Sequence, residues 1–364
     1  MIPSAASDVA PVRAGEDLPW DRLAACLRAL VPGLDGPMQV GQFPRGSANL
    51  TYLVSFGERE LVVRRPPLGR RAPGSHDMGR EYRVLAGLNP VYPRAPRPYA
   101  YIEDTEVIGD VFLVSERRTG YVVWDHVPAA LSADPDASVR VGAATIDALA
   151  DLHAVDVAAA GLADLGRPDG YLSRQLAGWS KRWAAVADQS ALADHGDTVA
   201  AMAEVERRLH ATAPTSQQAG LVHNDFKIDN CQFSAGDPDL VTSVFDWDMA
   251  TYGDVLCDLG TLLNYWPDRT LAADDVEAFI CVSATRDLAL PSRAEVVERY
   301  AARSDLDLSG IGWYEAFGCW KTCVILQQLY ARAVRGESAD PRMLQRGEMV
   351  GPLARRALAV LGGQ

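Results

Sequence analysis

LVHNDFKIDNCQFS, residues 221–234, is followed by DLVTSVFDWDMATYGD, residues 239–254. Short β-branched runs alternate there with polar turns, which predicts a small hairpin set among helices. The first turn carries His223, Asn224, Asp225, Lys227, Asp229 and Asn230, and the second Asp246 and Asp248. An Asp and an Asn five residues apart on a tight loop can aim a carboxylate at a hydroxyl and an amide oxygen at a cation. A second carboxylate, 16 residues past the Asn, can chelate the same ion. Phosphoryl transfer needs this layout: a base that orients the nucleophile, Asp225, and hard oxygen ligands for Mg²⁺, Asn230 and Asp246. Lys227 could neutralise charge on the transferring group or be a solvent-facing loop lysine. The same residues also suit a plain polar turn with Asx bonding, so the spacing alone leaves both readings open.

Upstream, MQVGQF, NLTYLVSF and ELVVRRP are strand-like runs separated by PRGSA and by Gly57, and YAYIED and DVFLVSER complete about five strands in an antiparallel meander. A helix is expected from Asp17 to Leu30, and another from about Ser75 to Leu88 after the third strand. In ELVVRRP the alternation sends Val62 and Arg64 one way and Val63 the other. Glu81 follows Arg64 by 17 residues and could pair with it, with Arg65 as the alternative. The turn from Pro44 to Asn49, with Ser47, could cover phosphates with its backbone amides or be an ordinary hairpin loop.

From about Asp134 onward alanine-rich amphipathic helices dominate: Ala137 to Val155, Gly170 to Val186, Thr198 to Leu209, and four more toward Leu361. The fold class is therefore α+β and bilobal, with a small antiparallel-sheet lobe over 1–117 and a larger, mostly helical lobe over 118–364 joined by one short hinge. Arg174 and Trp179, with Gln175, Arg182 and Trp183, could shape an acceptor pocket, although an aromatic stripe at helical spacing also describes plain core.

The 364 residues, 48% hydrophobic and 23% charged, describe a globular chain and exclude disordered and fibrous classes. No run approaches the roughly 18 apolar residues of a spanning helix, and the N-terminus lacks a basic-then-apolar signal pattern, so a cytoplasmic protein with no membrane partner is expected. A net charge of -13 argues against a nucleic-acid partner. The charge is uneven: Gln42 to Ala100 holds ten arginines against four acids. Only Lys181, Lys227 and Lys321 are lysines, so a cation for phosphate in the first lobe must be arginine, whose fork binds phosphate bidentately. The six cysteines show no metal-ligand spacing.

His223, Asp225, Asn230 and Asp246 match the HxDxxxxN-then-Asp pattern, and with it the chain resembles the aminoglycoside phosphotransferase and choline kinase group, relatives of the protein kinases. More narrowly, LVVRRPPLG, SHDMGREYRVL, YLSRQLAGWSKRW, VHNDFKIDN, FDWDMATYGDVLCDLG and CWKTCVILQQLYARAVRG resemble the phosphotransferase domain linked to acyl-CoA dehydrogenase family members ten and eleven. The resemblance implies a protein-kinase-like fold that uses ATP and Mg²⁺ to phosphorylate a small-molecule alcohol, in the narrower case a hydroxyacyl-CoA. It implies Asp225 as base, Asn230 and Asp246 on Mg²⁺, Arg64 on the phosphates, Glu81 positioning Arg64, and the backbone of Ser115, Glu116 and Arg117 on adenine. Asp248 would assist the second metal, bind substrate, or serve as a turn acid, and Asp258 would support a bracing His223. The chain departs from the kinase pattern in placing arginine where lysine is usual and in lacking a serial GxGxxG. An aminoglycoside kinase, a catalytically inactive nucleotide-binding adaptor and a protein kinase are the alternatives, the last disfavoured by the absence of an APE-like segment.

Overall fold

The computed structural model describes residues 8–44, 49–68, 77–124, 126–132, 136–187, 196–234, 240–267, 283–337 and 342–363. Two compact units emerge, one from Met1–Thr119 with Ala160–Leu162 and Thr242–Ala250, the other from Gly120–Ala159, Ala163–Val241 and Thr251–Gln364. The chain passes between them more than once, where the sequence suggests a single hinge.

The first unit holds α1 (Trp20–Leu30), β1 (Met38–Gln42), β2 (Leu50–Phe56), β3 (Arg59–Arg65), α2 (Met78–Leu88), β4 (Pro98–Ile102) and β5 (Phe112–Glu116). The strands form one antiparallel sheet in the order β1-β2-β3-β5-β4. Alternation along β2 buries Leu50, Tyr52, Val54 and Phe56, and the register Phe56↔Arg59 closes its hairpin with β3 in two residues. Gly57, at φ 59°, supplies the left-handed conformation such a tight hairpin requires. Leu23 and Leu27 of α1 join these side chains in one core, while Leu30, expected on the apolar stripe, is exposed. Asp77 caps α2 by accepting from the Arg80 amide at 2.9 Å.

The second unit is mostly helical: α3 (Ala129–Ser132), α4 (Ala137–His153), α5 (Tyr171–Ala184), α6 (Gly196–Ala211), α7 (Leu256–Tyr265), α8 (Ser283–Asp287), α9 (Arg293–Ala301), α10 (Ile311–Val334), α11 (Arg342–Gln345) and α12 (Val350–Gly362). Its centre is α10, which packs on α7 and α12 and buries Trp313, Phe317 and Trp320. Helix α9 starts with a full capping box between Ser292 and Glu295. Instead of one hairpin, the central stretch forms four short strands, β6 (Ala219–Val222), β7 (Cys231–Phe233), β8 (Val241–Val244) and β9 (Thr251–Asp254). Of these, β6 and β9 pair antiparallel, with Val222 opposite Thr251. None of the described helices is long and apolar enough to cross a membrane.

Candidate active site

Arg64 occupies the face of β3 opposite Leu61 and Val63, as alternation requires. Its Nη1 donates to Glu81 Oε1 at 3.1 Å and its Nη2 to Asp246 Oδ1. Arg65 points the other way, donating through Nη1 to the Ile108 carbonyl at 3.0 Å with Nη2 3.6 Å from Asp110. Between the two arginines, strand geometry therefore selects Arg64. Burial works against its charge, but Glu81, Asp246 and Asp248 more than offset it and raise its pKa. Glu81 is buried, and its Oε2 lacks a hydrogen-bond partner among the described residues. Burial, against the pull of Arg64 and helped by Asp248 and Asp246, pushes its carboxyl up to about 7.

Asp246 is left-handed at φ 68° and precedes a single 3₁₀ turn, Trp247–Met249. The Trp247 ring meets Tyr92 edge-on and its indole donates to the Val244 carbonyl at 2.8 Å. The turn is thereby anchored by an aromatic plug directly beside the carboxylate that pairs with Arg64.

In the second unit, the Asp225 carboxylate accepts through Oδ2 from Lys227 Nζ at 2.9 Å and from Asn230 Nδ2 at 3.1 Å. Asn230 Nδ2 also donates to the Asp225 carbonyl at 2.8 Å, which leaves its amide oxygen turned to the opposite side. Lys227 lies 3.8 Å from Asp229 and its ammonium sits 5.0 Å from the Tyr265 ring centroid. Burial disfavours that ammonium, yet Asp225 and Asp229 raise its pKa well above the ordinary lysine value. Lys227 is thus a half-buried cation held against Asp225.

Buried Asp258, in the first turn of α7, holds this loop by its backbone. Its Oδ2 accepts the His223 amide at 2.5 Å and its Oδ1 the Asn224 amide at 2.7 Å. His153 and His223 lower the Asp258 pKa against its burial. The His223 ring packs edge-on against Phe226, and its Nδ1 faces the Asp225 amide at 3.3 Å. Asn224 is left-handed at φ 70°. Asn224 and Asp246 are the two non-glycine residues with positive φ among the described residues, one in each polar turn.

Several other expectations change in detail. Ser47 lies outside the described residues, and Asn49 is buried just before β2. Ser115 stands opposite Val62 in the sheet. The Glu116 amide donates to the Arg97 carbonyl at 2.9 Å and its carboxylate accepts the Arg97 amide at 2.7 Å, so strand pairing already uses this N–H. The Arg117 guanidinium lies 5.0 Å from the Phe43 ring centroid and pairs with Asp8. Arg174 donates to the Asp169 and Arg167 carbonyls and so braces the loop before α5. Trp179 is buried on the packed face of α5, donating to Gln175 Oε1 at 3.2 Å beneath the Arg182 guanidinium, and so behaves as core. Lys321, given no role by its sequence context, donates from α10 to the Asn224 carbonyl at 2.7 Å. A lysine amid a helical apolar run was the only signal for it.

The donor set suits magnesium: one carboxylate, one amide oxygen and nucleotide phosphates are the ligands this ion favours, since it keeps part of its water shell. Among the described residues there is no cluster of three or more His, Cys, Asp or Glu that would form an all-protein cage.

Residues 39–290 match the model of the APH phosphotransferase enzyme family. Acyl-CoA dehydrogenase family member 10 of Mus musculus is 28% identical over 350 residues, covering 95% of this chain and 31% of that protein. Family member 11 of Rattus norvegicus is 29% identical over 345 residues, covering 92% of this chain and 42% of that protein. The chain thus spans well under half the length of these relatives. Among solved structures, a protein of Ralstonia eutropha provisionally named an aminoglycoside phosphotransferase aligns with a TM-score of 0.78 at 27% identity, over 95% of this chain and 99% of that one. A thermostable mutant of aminoglycoside phosphotransferase APH(4)-Ia, in a ternary complex with AMP-PNP and hygromycin B, aligns with a TM-score of 0.59 at 16% identity, over 90% of this chain and 96% of that one, and shares the fold. With the family model spanning residues 39–290 and the fold of the solved relative matched nearly end to end, the chain belongs to the phosphotransferase enzyme family.

Proposed function

We propose that this protein transfers the γ-phosphoryl group of ATP to the hydroxyl of a hydroxyacyl-CoA. The observation that carries the chemistry is the Asp225 carboxylate, held by Lys227 at 2.9 Å and Asn230 at 3.1 Å on a loop pinned by Asp258. Asp225 takes the proton of the acceptor hydroxyl as the new oxygen–phosphorus bond forms and the bond between the γ-phosphorus and the β,γ-bridging oxygen breaks, releasing ADP. Lys227 supplies positive charge beside the transferring group. Arg64, oriented by Glu81, meets the nucleotide phosphates with a bidentate fork. The Asn230 amide oxygen and the Asp246 carboxylate would hold Mg²⁺, which would neutralise phosphate charge. Asp248 adds negative charge beside that metal site.

The acyl-CoA class is supported by the two relatives, whose names carry acyl-CoA dehydrogenase and of which this chain matches one portion. The ten arginines between Gln42 and Ala100 suit an anionic phosphoadenosine acceptor. The test is ADP release with MgATP over 3- and 4-hydroxyacyl-CoAs, aminoglycosides, choline and a blank, with product masses recorded. A phosphate mass added to a hydroxyacyl-CoA is the expected result. Phosphate on an aminoglycoside alone would replace the acceptor, and binding of ATP without any product would favour an inactive adaptor.

A further inference from the structure

Lys321 sits inside the 24-residue helix α10, 6% exposed, among tryptophans, cysteines and other apolar neighbours. Burying an ammonium is costly unless it is paired or hydrogen-bonded, so its position calls for a function beyond filling space. Its Nζ donates to the Asn224 carbonyl at 2.7 Å and lies 6.0 Å from the Trp179 ring centroid. Burial lowers its pKa, while Asp225, Asp258 and Cys257 hold it up.

The residue it grips is one of the two left-handed ones. Asn224 is left-handed, and its amide is already held by Asp258 Oδ1 at 2.7 Å. Both backbone groups of Asn224 are therefore fixed from different helices, the amide by α7 and the carbonyl by α10. That carbonyl belongs to the peptide bond leading into Asp225, so the grip fixes the plane from which the Asp225 side chain departs. A neutral apolar side chain in place of Lys321 would remove the ammonium's hydrogen bond to the Asn224 carbonyl and so release one of the two clamps.

We propose that Lys321 is a positioning residue for Asp225: its ammonium, clamping the Asn224 carbonyl opposite Asp258, fixes the Asn224–Asp225 peptide so that the base carboxylate is oriented before substrate binds. The assignment rests on the reading of Asp225 as the base.

The test is Lys321→Met in the full chain, with kcat, the KM for ATP, and hydrogen exchange of residues 219–230 measured beside wild type. Lys321→Met preserves length and apolar packing, and a fall in kcat of about 100-fold is expected from loss of orientation, with the KM for ATP unchanged. Exchange should quicken at residues 223–225 and stay the same elsewhere. Wild-type kcat in Lys321→Met would overturn the assignment, as would a parallel loss of ATP affinity, which marks a general structural defect. If circular dichroism shows that Lys321→Met does not fold, Lys321→Leu, which also lacks a donor, is measured in the same way and against the same outcomes. If wild type transfers phosphate to none of the acceptors, the functional reading fails separately. The exchange arm then decides the clamp, and unchanged exchange over 223–225 overturns it.

Discussion

Arg64 Nη1 donates to Glu81 Oε1 across 3.1 Å, tying the middle strand of the sheet to the first turn of α2, while Nη2 of the same guanidinium reaches Asp246. One planar fork thus organises two carboxylates, and a lysine, with a compact point charge, cannot hold both in that geometry. With Arg64 on the nucleotide phosphates, Arg64→Lys should lose one charge-assisted hydrogen bond, worth about 1.5–3 kcal/mol, and raise the KM for ATP by about 10- to 100-fold. Steady-state titration of ATP checks this, and an unchanged KM would remove Arg64 from the nucleotide site.

The same pair gives stability a pH dependence. Glu81 has its carboxyl pushed up to about 7 from 4.5, first by burial and then by Asp248 and Asp246, against the pull of Arg64. Between those values the folded chain holds a proton that the unfolded chain has lost. The stability Glu81 contributes is therefore complete below about pH 4.5 and is lost as pH rises through about 7, a loss on the order of 3 kcal/mol. Glu81→Gln removes the titration. In nucleotide-free thermal melts, the Tm of Glu81→Gln minus that of wild type should rise from about pH 5 to about pH 8. A difference that stays constant would show that Glu81 is ionised throughout.

Asp225→Asn keeps the side chain's size and its neighbours on the loop but cannot accept the hydroxyl proton. General-base removal should lower kcat by about 10²- to 10⁴-fold with ATP affinity unchanged. Retention of full turnover, measured by ADP release and product mass, would strip Asp225 of the base role.

How much of this site was legible in the sequence depends on distance along the chain. The strand alternation of ELVVRRP is a local, period-two property, and it placed Arg64 and Glu81 on partners that the structure joins. The polar turn was legible for the same reason: Asp225, Lys227 and Asn230 are close in sequence and meet within one loop. Helical spacing fixes a face but not what covers it, so the sequence could not foresee that Arg174 meets loop carbonyls while Trp179 is buried. Lys321 was invisible because its partner Asn224 lies 97 residues away and offers a backbone carbonyl, which any residue type carries. Thr242–Ala250 likewise packs with the first unit although the stretches on either side of it belong to the second.

A close approach of α7 to α10 brings these two clamps to one loop. A Cβ on Gly260 of α7 would lie 2.3 Å from the Tyr314 carbonyl oxygen of α10, and one on Gly318 of α10 would meet the Gly260 carbonyl at 3.0 Å. Neither helix can yield locally, because the atoms in the way are backbone. Gly260→Ala must then push α7 from α10, destabilising the fold by about 1–3 kcal/mol through overpacking. Asp258 stands on α7 and Lys321 on α10, so the same shift should loosen both grips on Asn224 and lower kcat along with Tm. Gly178→Ala on α5 is the control: nothing lies within 4 Å of its added Cβ, and the helix should gain about 0.4–1 kcal/mol from a less flexible unfolded chain. Thermal melts and turnover of the two variants side by side decide it, and a Gly260→Ala protein with wild-type Tm and kcat would show that the helices reach the loop independently.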